Sequence, residues 1–169
     1  MNVDSREKAK AIRNILKTFN QMGVDYYISK MYVGDYMSLD NPRLVIDRKQ
    51  NLNELAANCC QQHERFRREI QRANEHGIHI VFLCEHGNGI ESLEDVPFWE
   101  NPRRKKRIRT DTGFRTVETK ATTGETLYKI LSTIKRKYGV EFLFCRKEET
   151  GRRIVEILSD DSTGNKADL

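Results

Sequence analysis

Residues 34–53, GDYMSLDNPRLVIDRKQNLN, contain the most informative pattern in the sequence. Within them the apolar run Leu44–Ile46 follows a proline-containing turn and predicts a strand that continues through Asp47 and Lys49. Because alternate side chains of a strand share a face, Asp47 and Lys49 should point the same way. Asp35 follows a glycine turn, and a hairpin would bring it beside Asp47. Two carboxylates and a lysine at the ends of adjacent strands can hold a hard divalent cation and orient a water molecule.

Helices and strands alternate on both sides of this stretch. Apolar residues at helical spacing predict helices, and short runs rich in β-branched and aromatic residues predict strands. Helices are predicted for residues 7–22, 52–75, 125–138 and 148–158, and strands for residues 25–32, 44–49, 78–84 and 140–145. This alternation predicts an α/β fold whose sheet is covered by helices. The chain is long enough for one domain, predicted at residues 1–158 and followed by a tail at residues 159–169.

Charge is distributed unevenly along the chain. The net charge is +5, but residues 102–120 alone hold eight Lys or Arg against two acids. They lie in an insertion or loop, residues 87–123, which has no clear hydrophobic period. A second basic cluster on the predicted helix 52–75 contains Arg65, Arg67, Arg68 and Arg72. Such patches are expected of proteins that bind phosphate backbones, with solvated surfaces as the alternative.

Hydropathy and cysteine usage favour a cytoplasmic protein. No apolar run approaches the roughly 20 residues that cross a bilayer, and the N-terminus lacks an apolar stretch of the signal-peptide kind. The four cysteines form no CxxC pair and fall in segments predicted as helix or strand. Cys59 and His63 share a face of the predicted helix 52–75, which leaves a zinc site open, although buried free thiols are common core residues.

Three short motifs occur in an order that is similar to a known family. They are Val3-Asp4-Ser5-Arg6-Glu7, Gly34-Asp35-Tyr36 and Val45-Ile46-Asp47-Arg48-Lys49. Together they resemble the signature of the XPF/Mus81-type nucleases, a branch of the restriction-endonuclease-like PD-(D/E)xK superfamily. Residues 139–145 and 148–150 also resemble that family's last strand and helix. The resemblance covers residues 3–158, matches the basic stretch poorly, and implies a central mixed β-sheet flanked by helices.

The resemblance implies an endonuclease that depends on Mg²⁺, with Mn²⁺ as a substitute, and cuts branched or distorted DNA. Asp35 and Asp47 would be the metal ligands, Lys49 would assist the attacking water, and Asp4 would add a nearby carboxylate. The full set of catalytic candidates is Asp4, Glu7, Asp35, Asp47, Arg48 and Lys49. Arg48 should point to the opposite face of its strand, so a structural ion pair is the alternative for it.

Candidate DNA contacts come from three parts of the chain. They are Arg6, Arg65, Arg103, Arg104, Lys105, Lys106 and Arg107. A solvated helix face is the alternative for Arg65, and a disordered loop is the alternative for the basic stretch. Large family members add a tandem helix-hairpin-helix domain. Only a short polar tail follows Leu158, so a compact form without that domain is expected. Such a form suits a bacterial or phage-infected cell. The resemblance also implies that the nuclease domain pairs as a homodimer or heterodimer.

Two departures from the family pattern affect the predicted site. Asp47 stands where the family usually has Glu, and Asn53 stands where an acid usually follows the lysine by four residues. Asn53 lacks that charge, which implies weaker metal binding or loss of activity, or it starts the next helix as a capping residue. A DNA-binding partner without catalysis and a regulatory protein-binding module are therefore the rival functions.

Overall fold

A computed structural model describes residues 1–159. The strands are β1 (Asn2–Asp4), β2 (Tyr27–Ser29), β3 (Tyr36–Met37), β4 (Leu44–Lys49), β5 (His79–Glu85), β6 (Lys105–Thr110), β7 (Gly113–Glu118) and β8 (Glu141–Cys145). The α-helices are α1 (Ala9–Gln21), α2 (Leu52–Cys60), α3 (His63–Glu75), α4 (Gly124–Tyr138) and α5 (Thr150–Ser159). Short 3₁₀ helices span Leu93–Phe98, Pro102–Arg104 and Lys147–Glu149.

Six of the strands form one mixed sheet in the order β2-β1-β3-β4-β5-β8. β3 runs antiparallel to both β1 and β4, whereas β2 is parallel to β1, and β5 is parallel to both β4 and β8. β6 and β7 form a separate two-stranded sheet. The predicted α/β architecture with a central mixed sheet flanked by helices is confirmed.

Side-chain alternation along β4 divides the core between the two faces of the sheet. Val45 belongs to the core that contains the apolar stripes of α2, α3 and α4. Ile46 belongs to the other core, which is covered by α1 and α5. The polar end of the strand keeps this alternation, so Asp47 and Lys49 lie on the α2–α4 side and Arg48 on the α1–α5 side.

The helix predicted for residues 52–75 is two helices. The backbone leaves the helical region at Gln62, with φ −116° and ψ 28°, and α3 begins at His63. No glycine or proline marks this break, but it allows Cys59 of α2 and Phe66 of α3 to enter one core. The zinc alternative is not supported, because His63 is exposed and burial raises the pKa of the Cys59 thiol to about 12.

The segment predicted as a basic loop has regular structure. β6 and β7 pair antiparallel from Lys105 opposite Glu118 to Thr110 opposite Gly113. The alternative of a disordered, solvated loop for the basic stretch does not hold, because residues 105–110 and 113–118 form paired strands. β2 is also shorter than the strand predicted for residues 25–32.

Two further predictions concern the chain as a whole. The tail predicted at residues 159–169 lies outside the described residues, apart from Ser159 at the end of α5. Among residues 1–159, no helix combines the length and the apolar character needed to span a bilayer.

Candidate active site

The ends of β3 and β4 place two aspartates side by side. Asp35 immediately precedes β3; its backbone N–H donates to the Ile46 carbonyl at 2.7 Å, and its Oδ2 accepts from the Arg48 backbone N–H at 2.8 Å. Gly34 permits this turn, since its φ is +69° and a Cβ there would lie 3.1 Å from the Ile46 carbonyl oxygen. The predicted hairpin is present, and it brings Asp35 next to Asp47.

Negative charge accumulates at this pair. Burial raises the pKa of Asp35 well above its ordinary value, and the carboxylates of Asp47 and Glu7 raise it further. The Lys49 ammonium and the Arg48 backbone N–H act in the opposite direction without cancelling the effect. Strongly perturbed carboxyl groups of this kind occur where a protein binds a cation or carries out acid–base chemistry.

Lys49 completes the predicted trio. Its Nζ lies 2.5 Å from Asp47 Oδ1, and the rings of Phe66 and Phe82 lie below it at 5.9 and 5.7 Å from Nζ to ring centroid. Burial alone would lower the pKa of Lys49, but the Asp47 carboxylate reverses that effect and raises it. The ammonium therefore stays protonated at neutral pH, held between a carboxylate and an aromatic surface.

A third carboxylate, Glu69 on α3, faces the same strand ends. Its pKa is raised first by burial and then by the charge of Asp47, while neighbouring cations lower it. Glu69 was not among the predicted site residues. The available signal is its position on the buried stripe of α3, because it lies three residues after Phe66 and directly before Ile70.

Asp4 and Arg6 form a unit at the end of β1. Asp4 is fully buried, and its backbone N–H donates to the Asp35 carbonyl at 2.8 Å. Arg6 Nε lies 3.0 and 2.9 Å from the two oxygens of Asp4, and these bonds lower the pKa of Asp4 although burial acts to raise it. The Arg6 side chain is 54% exposed, and its pKa is raised by Asp4 and by the charges of Asp35 and Glu69. Asp4 thus holds an exposed guanidinium beside the carboxylates.

An open groove of about 640 Å³ adjoins these groups. Lys49 and Glu69 line it together with Arg65 of α3 and Arg103, which precedes β6. The groove is therefore formed by the stretch of residues 49–69 and by Arg103, which is distant in sequence. Its combination of carboxylates and exposed cations suits a polyanion that approaches together with a metal ion.

Asn53 lines the same groove, and the capping role suggested for it belongs to a neighbour. Asn51 is the N-cap of α2, and its side-chain oxygen accepts from the Glu54 backbone N–H at 2.9 Å. The Oδ1 atom of Asn53 is buried without a hydrogen-bond partner. Asn53 therefore does not cap the helix, and it lines the groove together with Lys49.

The donor set fits a hard divalent cation. Across residues 1–159, no three His, Cys, Asp or Glu side chains are arranged as a ready-made metal cluster. Mg²⁺ binds through one or two carboxylates, keeps several waters and shares substrate phosphate oxygens, so Asp35 and Asp47 meet its requirements. A structural zinc ion, which needs four protein ligands, does not fit these side chains.

A family model described as "ERCC4 domain" matches residues 3–157 of the chain. The chain belongs to the ERCC4-domain family. Among solved structures it is similar to XPF from Aeropyrum pernix, with a TM-score of 0.61 and 18% identity over 97% of this chain and 65% of that chain. For the complex of that protein with DNA, the TM-score is 0.62 and the identity 18%, over 99% of this chain and 67% of that chain. The comparison with curated proteins found no match.

These findings confirm the resemblance to the XPF/Mus81-type nuclease domain. At 18% identity the structural likeness shows a shared fold. This ERCC4 domain spans about two thirds of the Aeropyrum pernix chain, since it covers 65% of it. The match over residues 3–157 includes all three motifs that carry the resemblance.

Two of the catalytic candidates in this ERCC4 domain lie on the opposite side of the sheet. Arg48 Nη2 lies 2.6 Å from Glu7 Oε2, and Arg48 Nη1 lies 3.1 Å from Glu85 Oε1. Tyr36 also donates its hydroxyl to Glu7 at 3.4 Å. Arg48 forms the structural ion pair that was its alternative, because the period of the strand turns it away from Asp47. Glu85 was not predicted, although its position at the polar end of a buried strand is visible in the sequence.

The predicted DNA contacts of this ERCC4 domain fall on three surfaces. Arg6 lies beside the carboxylates, and Arg65 and Arg103 line the groove. Arg104, Lys105, Lys106 and Arg107 leave the groove and lie at the base and along the first strand of the β6–β7 hairpin.

Proposed function

We propose that this ERCC4 domain is a metal-dependent DNA endonuclease that hydrolyses phosphodiester bonds beside Asp35, Asp47 and Lys49. One observation carries the proposal: two adjacent aspartates lie beside a protonated lysine, and that lysine lines a groove together with Arg65 and Arg103. Family membership supports nuclease chemistry. The fold shared with a protein whose structure is known in complex with DNA supports DNA as the polymer.

Asp35 and Asp47 would hold the metal, for which we propose Mg²⁺ with Mn²⁺ as a substitute. When bound, such an ion lowers the pKa of a coordinated water and stabilises charge on the phosphate. Lys49 would orient the attacking water and neutralise the charge that develops on the phosphoryl oxygens, because its ammonium is fixed by Asp47 and the aromatic rings beneath it.

Arg6, Arg65 and Arg103 would bind the phosphate oxygens on either side of the cleaved bond. Guanidinium groups suit this role because their planar donors match two phosphate oxygens at once. Asp4 would act through Arg6 as a positioning residue. In the same way, the pair of Arg48 and Glu7 would fix the end of β4 rather than touch the substrate.

The rival function, a DNA-binding partner without catalysis, is favoured by one observation. Asn53 stands in the groove where an acid is expected, so the site has one negative charge fewer for a metal ion. Selectivity for branched or distorted DNA is part of our proposal. Subunit pairing and a cytoplasmic location stay predictions.

Cleavage assays test the proposal directly. Labelled duplex, flap and four-way-junction DNA would be incubated with the protein in Mg²⁺, Mn²⁺ or EDTA, beside Asp47→Ala and the control Asp40→Ala, an exposed aspartate between β3 and β4. We expect metal-dependent cleavage that Asp47→Ala abolishes and Asp40→Ala retains. DNA binding without cleavage in either metal would instead establish the rival function.

A further inference from the structure

The strongest surface feature outside the active site is the β6–β7 hairpin with its base, residues 103–120, which we call the basic arm. It contains eight Lys or Arg and two acids, a net charge of +6. The rest of the chain holds 22 basic and 23 acidic residues, so the net positive charge of the protein comes from the arm. Such concentration indicates a polyanionic partner for this segment in particular.

The basic arm starts at the wall of the active-site groove. Arg103 lines the groove, and its backbone carbonyl accepts from the Thr119 hydroxyl at 2.6 Å. The Thr119 backbone N–H donates to the Arg104 carbonyl at 2.7 Å, and Asn101 Nδ2 donates to the Thr122 carbonyl at 2.8 Å. These bonds fasten the base of the arm, so a polymer held by the arm is held next to the groove.

Beyond its base the arm projects as a ribbon. β6 and β7 pair only with each other among the strands of residues 1–159. Residues that face each other across an antiparallel pair share a face, so Lys105, Arg107 and Arg109 lie on the same face as Phe114. The major groove of DNA is wide enough to admit a two-stranded ribbon.

Phe114 is the unusual residue on this face. It lies directly after Gly113 at the turn and is 63% exposed. The Arg107 guanidinium stacks on its ring, with 4.3 Å from guanidinium carbon to ring centroid. An aromatic ring beside a guanidinium, both accessible, is the arrangement on which proteins stack unpaired bases.

The cations of the arm and the ring of Phe114 recognise different parts of DNA. Its cations attract the phosphates of any duplex and carry no preference for DNA structure. The ring of Phe114 gains contact only with a base that has left the stack, or with a base step that opens to admit it. A protein partner would be indicated by an apolar patch, whereas Phe114 is a single ring among charges.

We infer that the basic arm binds the DNA that flanks the cleavage site, and that Phe114 stacks on unpaired bases. This inference deepens the proposed endonuclease function and rests on it. The cations of the arm bind the duplex, and the ring of Phe114 confers the preference for distorted DNA.

Binding measured in EDTA tests the inference without requiring cleavage. Fluorescence anisotropy would compare a fully paired duplex with the same duplex carrying a bulge of unpaired adenines. The unmodified protein should prefer the bulged DNA, and Phe114→Ala should reduce that preference at least about five-fold, the lower end of the effect of losing one stacked base. Phe114→Trp should retain the preference. Tyr27→Ala, which removes an exposed aromatic from edge strand β2, should leave it unchanged.

The charge of the arm has a separate readout. A variant with Arg107 and Arg109 replaced by Ala should weaken binding to both DNAs. It should also reduce the slope of log affinity against log salt by about 0.9 for each phosphate that the variant no longer neutralises. Far-ultraviolet circular dichroism would verify that each variant is folded.

Three results would overturn the inference. These are equal affinity of the unmodified protein for both DNAs, an unchanged preference in Phe114→Ala, and a change of sedimentation coefficient in Phe114→Ala with DNA binding intact. The last result would identify the arm as a protein interface. The binding assay contains EDTA and does not depend on cleavage. A protein without nuclease activity would therefore give the same binding results, so failure of the inference and failure of the proposed function are distinguishable.

Discussion

Replacing Arg48 by Met should strongly destabilise the protein. The Arg48 side chain is 2% exposed and bridges Glu7 and Glu85, whose side chains are 14% and 3% exposed. Met fills a similar volume but leaves Glu85 buried without a cation. Removal of one partner from a buried ion pair costs about 3–5 kcal/mol, because the remaining charge keeps its desolvation penalty without the compensating attraction.

The expected change is large relative to the stability of a domain. A domain is stable by about 5–15 kcal/mol. With a denaturant slope of about 2 kcal/mol per molar urea, the loss should lower the urea midpoint by about 2 M. The double variant Arg48→Met with Glu85→Leu removes both buried charges, so most of the loss should be recovered. Glu7 can then hydrate, since it lies nearer the surface.

Urea denaturation followed by circular dichroism measures the stability, and the cleavage assay measures the role of Arg48. Arg48 holds Asp35 through its backbone N–H, which the substitution keeps, so the restored double variant should also regain cleavage. A midpoint shift below about 0.5 M for Arg48→Met would refute the ion-pair explanation, since it corresponds to about 1 kcal/mol at that slope. A stable double variant without activity would show that the guanidinium itself takes part in catalysis.

Two further substitutions test the surroundings of the site. Glu69→Gln removes a carboxyl group whose folded-state pKa is raised by burial and by Asp47, so the metal-free protein should have a higher thermal midpoint at pH 7. This gain should vanish as the pH falls below the ordinary glutamate range, where the side chain at position 69 is neutral in both proteins. In the cleavage assay, the Mg²⁺ concentration for half-maximal activity should rise in Glu69→Gln. Gly124→Ala places a Cβ 2.4 Å from the Val96 carbonyl oxygen, so it should cost about 1–3 kcal/mol in thermal unfolding, whereas Gly87→Ala, where the added Cβ meets no atom within 4 Å, should cost far less.

Much of the candidate active site can be predicted from sequence, because the rules that orient its side chains are local. The two-residue period of β4 determines that Asp47 and Lys49 share a face and that Arg48 takes the other. The glycine turn before Asp35 is equally local, since a left-handed residue is required where the chain approaches β4 closely. These rules specify which side chains point together, and the order of the three motifs indicates the family.

Two other features of the structure cannot be predicted from local sequence patterns, because they depend on packing between distant segments. The break between α2 and α3 carries no glycine or proline, and it exists because both helices pack against one face of the sheet. The buried partner of Arg48 is Glu85, which the parallel pairing of β4 and β5 brings alongside. Sequence spacing gives no information on either distance.

The α/β class, the trio of Asp35, Asp47 and Lys49, and the concentration of positive charge in residues 103–120 can all be read from the sequence. The position of Glu69 near Asp47, and that of Arg103 in the groove beside Lys49, follow from the tertiary structure alone. Only the structure arranged the basic residues as a ribbon. The physical reason is that strand and helix periods fix the direction of a side chain relative to its own element. The order of strands in the sheet and the docking of helices on it fix which elements meet, and these depend on burial of apolar surface across the whole chain.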